Sequence, residues 1–87
     1  MAMNGSTWRD HPFEIGEVYI ALTANPDFTQ GYIIPGHKYE LNYISHSHYD
    51  GASIFTFRSL SNNELVSWWW FDNASDNLCI ENFQVYT

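Results

Sequence analysis

His46-Ser47-His48-Tyr49-Asp50 is the stretch whose residue types and spacing come nearest to a metal site. Two histidines at i, i+2 share one face of an extended segment, and Asp50 could add an oxygen. No third strong ligand lies nearby, and His11 and His37 are distant in sequence. Polar loop histidines are therefore expected here, with no bound metal. Two carboxylate pairs, Asp72/Asp76 and Glu14/Glu17, share short segments. Neither sits in the apolar context that acid catalysis by a carboxyl group needs. The five glycines are dispersed, so no phosphate cradle is present. Cys79 is the single cysteine and lies between Leu78 and Ile80, a setting for a small hydrophobe rather than a nucleophile. No serine or cysteine sits in a nucleophile elbow. The chain is read as a non-enzyme without cofactor.

What remains is aromatic. Trp68-Trp69-Trp70-Phe71 runs four rings together. In a strand, successive side chains point to opposite faces. If Trp68 and Trp70 enter a core, Trp69 and Phe71 look away from it, and an outward indole is a recognition surface in waiting.

The elements that must carry these residues fit one domain, because 87 residues leave no room for a second core. Aromatic residues make up 18% of the chain, enough bulk to fill a small interior. Three basic residues, Arg9, Lys38 and Arg58, face ten acidic ones, a net charge of −7. Nucleic-acid binding needs clustered cations, so that class is disfavoured. The acidic field suits a basic partner surface, while charged residues at 15% are too sparse for convincing nucleic-acid mimicry. No signal-peptide pattern or bilayer-length apolar run occurs, which predicts a cytoplasmic protein with no membrane contact. On that reading Asn4 and Asn73, though in Asn-x-Ser sequences, carry no glycan.

Residues 1–15 read as an N-terminal arm, docked by Trp8 and Phe13, and residues 16–87 as the folded domain. Period-two alternation predicts strands over 17–23, 37–44, 53–58 and 64–70, with a short closing strand at 83–86. Tyr39, Leu41 and Tyr43 are expected on one face of the second. A long excursion with Asn25-Pro26-Asp27 and Pro35-Gly36 separates the first two, and Tyr32-Ile33-Ile34 is a candidate edge within it. Residues 45–51 are expected as a loop ending in Asp50-Gly51, and 78–83 as a single helical turn. Five strands with one long connection and two short hairpins predict a small closed all-β barrel. Its expected centre is Tyr39, Leu41, Phe55, Phe57, Val66, Trp68, Phe83 and Val85.

This order of elements resembles an SH3-like barrel. Gly36-His37-Lys38-Tyr39-Glu40-Leu41 is similar to the "G-x-x-Y-x-V" start of that fold's second strand, and Ile80-Glu81-Asn82-Phe83-Gln84-Val85 to its closing "E-N-F-x-V" turn and strand. Asp50-Gly51 and Ser61-Asn62-Asn63 stand at its next loop and its distal hairpin. Over residues 16–86 the chain is similar to short SH3-like proteins of bacteriophages and prophages. Peptide-binding SH3 domains carry an aromatic-acidic signature where this chain has Ile20-Ala21-Leu22-Thr23-Ala24-Asn25, and only Asp27 represents their acidic loop. Proline-groove binding is therefore not implied.

Trp69, Phe71, Tyr32 and Tyr19 are the expected exposed aromatics, with Trp8 of the arm either joining them in a binding surface or covering them. They predict a non-catalytic module that binds and modulates or inhibits a host or phage protein through an aromatic, acid-rimmed surface. A self-associating structural protein is the alternative use of the same rings, and an acidic nucleic-acid mimic a third.

Overall fold

Strand formation follows the alternating runs. The computed structural model describes residues 10–86. The elements are β1 (Val18–Ala21), β2 (Thr29–Gln30), β3 (Lys38–Ser47), β4 (Ala52–Ser59), β5 (Leu65–Phe71), one helical turn α1 (Leu78–Asn82) and β6 (Phe83–Val85). They form one antiparallel sheet in the order β2-β5-β4-β3-β1-β6, curled into a half-barrel. Two expectations are corrected. There are six strands rather than five, and β2 and β6 remain as edges instead of closing the barrel. β2 escapes pattern reading because two residues cannot show a period. Its ladder to Trp68 and Ser67 nonetheless covers the outer side of β5. Both edges are short, which is itself protection against edge-to-edge pairing.

β3 runs through Ser47, beyond the loop start expected at Ser45. Its register against β4 shifts between Leu41 and Tyr43, so Asn42 is an extra residue, a β-bulge. The shift re-phases the strand. Ile44, not Tyr43, faces the core at 1% exposure, while Tyr43 is 59% exposed. The expected face of Tyr39, Leu41 and Tyr43 therefore holds only for its first two members.

Of the expected core residues only Val85 lies outside the interior. Phe13 enters it from the arm and stands among five rings, with centroids 4.6 Å from Phe55, 5.2 Å from Tyr19, 5.8 Å from Phe83, 6.0 Å from Phe57 and 6.4 Å from Trp68. Edge-to-face pairs of this kind stabilise beyond the area they bury. Trp68 and Trp70 stack at 6.5 Å, and the Trp70 Nε1–H donates to the Ser75 carbonyl at 3.1 Å.

Tyr19 is likewise a core residue at 3% exposure, against its expected place at the surface. The reason is local. Phe13 packs on its ring, and its phenol oxygen accepts a 2.8 Å hydrogen bond from the Glu14 N–H. That bond gives the buried hydroxyl the partner it needs.

Phe13→Ala is expected to destabilise the fold by about 3–5 kcal/mol, read from the urea midpoint. Burial pushes the Tyr19 phenol above its ordinary value, against the Glu14 hydrogen bond that lowers it; the carboxylates of Glu17 and Glu14 add to the rise. A proton held more tightly when folded gives stability that is intact below the ordinary phenol range and lost as pH climbs through the raised value. A tyrosinate absorbance titration should show one late step, absent in Tyr19→Phe; identical curves would refute it.

Candidate functional site

The excursion between β1 and β3, with β2 inside it, turns back on itself because Asn25 clamps it. The Asn25 N–H donates to the Ile33 carbonyl at 3.0 Å, and its side-chain oxygen accepts from the Ile33 N–H at 2.8 Å. Ile33 is 1% exposed, so the clamp anchors the excursion to the core. Gly31 completes the return at φ +96°, where a Cβ would stand 2.9 Å from Val66 Cγ1. Only glycine fits there.

This fold-back presents Phe28. Its backbone lies in the left-handed region at φ +67°, an outlier for a bulky residue, yet its ring is 65% exposed. The Phe28 carbonyl accepts from the Trp69 N–H at 3.1 Å, and the Phe28 ring meets Phe71 edge-on at 4.7 Å. Phe71 in turn lies 6.4 Å from Trp69. Three rings thus form a continuous strip.

β5 supplies two of them by alternation. Val66, Trp68 and Trp70 are buried, whereas Trp69 and Phe71 are partly exposed on the opposite face. The strip borders a groove of about 690 Å³ that Pro26, Asp27, Trp68, Trp70, Leu78 and Asn82 also line. That volume lies within the usual range of ~300–1,000 Å³ for ligand sites. Asp27 is the charged residue lining it. The Trp69 Nε1 is shielded and has no hydrogen-bond partner.

The expected site residues separate. Trp69 and Phe71 meet in the groove. Tyr32 is 78% exposed but borders a different hollow of about 240 Å³, beside Ile34 and His37. Tyr19 is interior, and Trp8 lies outside the described residues. Phe28 was not foreseen. Its signal in the sequence is a lone ring inside the polar run from Asn25 to Gln30, a poor place for a core residue.

The histidine stretch takes another form. His46 points from β3 toward Asp72, with Nε2 3.1 Å from Oδ1, and its ring meets that of His48 at 4.7 Å. Asp50 instead accepts from the Ser47 hydroxyl at 2.8 Å. Among the described residues no group of three or more His, Cys, Asp or Glu is placed to hold a metal ion.

Phe28→Gly should match or exceed the parent in thermal midpoint, because glycine takes positive φ without the penalty of about 1 kcal/mol or more that a side chain meets there. A clear fall in midpoint would show that the ring, not the backbone, governs stability at this position. Comparison with protein-family models, curated proteins and solved structures finds no match for this chain.

Proposed function

We propose that this chain is a non-catalytic protein-binding module of the small SH3-like kind found in bacteriophages and prophages. It acts in the host cytoplasm by binding and modulating or inhibiting a host or phage protein. Support for the SH3-like kinship comes from the order β5-β4-β3-β1-β6, the long excursion after β1 and the helical turn before β6. The observation that carries the binding function is the exposed ring of Phe28, set at the end of the strip Phe28–Phe71–Trp69 beside a largely apolar groove. A folded chain has no stability reason to strain Phe28 and leave its ring in water. Strain of this kind accumulates where function requires it. Recognition through such a strip needs no reacting group, which fits the lack of any catalytic constellation in the sequence.

Trp69→Ala should keep the circular dichroism spectrum and cooperative unfolding of the parent, since the residue lies on the outer face of β5. Capture of the protein partner should weaken by about 2 kcal/mol or more, roughly thirtyfold. Undiminished capture by a folded Trp69→Ala chain would reject the groove as the binding surface.

A further inference from the structure

From the groove's charge and ring chemistry we infer that its occupant is a cationic side chain, a guanidinium or an ammonium, carried by a basic segment of the partner. This rests on the groove being the binding surface proposed above.

The chain carries a net charge of −7. Both described cations are engaged away from the groove. Arg58 binds Glu40 and Asn63, and Lys38 stands over the Tyr86 ring. No lysine or arginine among the described residues lines the groove, whereas the Asp27 carboxylate does. Among the described residues an anionic ligand would therefore meet a carboxylate and no counter-charge. A wholly apolar ligand would cover Asp27 and strip it of water, which is unfavourable without a partner. A cation satisfies the carboxylate and gains from the rings at once.

Aromatic faces attract cations within about 6 Å of their centroids, more strongly as water is excluded. The Phe28 ring is 65% exposed and lines the same groove as Asp27. The molecule already contains one such contact, with Lys38 Nζ 4.2 Å from the Tyr86 centroid. The strained Phe28 backbone thereby acquires a purpose, since it holds a π face next to Asp27.

The test is an amide chemical-shift titration of the full chain with two synthetic peptides, acetyl-Ala-Arg-Ala-Arg-Ala-amide and its citrulline analogue, at low and high salt. Citrulline keeps the shape of arginine and removes its charge. The arginine peptide should move the amides of Asp27, Phe28 and Phe71 and the indole N–H of Trp69. It should bind roughly three- to thirtyfold more tightly than the citrulline peptide. Asp27→Asn and Phe28→Leu should each erase most of that difference while the citrulline affinity stays put. Equal binding of both peptides in the groove would overturn cation recognition and leave the binding module standing. Shifts confined to outlying carboxylates such as Glu14 and Glu17 would overturn it as non-specific attraction. Silence of the groove toward both peptides would also overturn it, while capture by Trp69→Ala decides the broader function separately.

Discussion

The pairing of β4 with β5 in one register decides which rings of these two strands face the core and which face away from it. Phe55 opposes Trp68 and Ser53 opposes Trp70 on the inner face; Ile54 opposes Trp69 and Ala52 opposes Phe71 on the outer. A slip of one residue would exchange the two sets. Both ends of the hairpin resist it. Ser59 N–H bonds to the Glu64 carbonyl at one end, and Asp72 N–H to the Gly51 carbonyl at the other. Between them the Thr56 and Ser67 hydroxyls meet at 3.1 Å. Residue size agrees with the register at one inner pair, where the small Ser53 stands opposite the Trp70 indole.

Groove and core therefore share one strand, since Trp68 and Trp70 belong to the core and line the groove together with Trp69 and Phe71. The side chains that fill the interior leave Trp69 and Phe71 no inward place, and the excursion after β1 supplies the third ring and the carboxylate. Electrostatics and shape act together here. Among the described residues the two cations are engaged on β3 and β4, and Asp27 is the charged residue that lines the groove.

Much of this was legible in the sequence because alternation is a strong signal. The strands β1, β3, β4 and β5 and the division of Trp68–Phe71 between faces follow from it. What stayed hidden was set by single backbone events or by contacts distant along the chain. The bulge at Asn42 has no compositional mark, yet it moved Tyr43 outward and Ile44 inward. Tyr19 looked like a surface ring until Phe13 from the arm was placed over it. Phe28 became visible only once its positive φ had turned it onto Phe71. Two of the strip's three rings were thus readable from spacing, and the third depended on the path of a loop.

The extra residue at Asn42 also divides β3 into two segments with different sequence logic. Before it, inward positions are odd-numbered; after it, they are even-numbered. Losing one amino acid there would not be a local injury. It would invert the distal half of the strand, turning Ile44 and His46 toward solvent and breaking the link from His46 to Asp72 beyond β5. The hairpin next to the aromatic strip would then lose a crosslink although no residue of the strip had changed. Length variation in this family of shapes should therefore collect in the turns, while the middle of its longest strand keeps a fixed residue count.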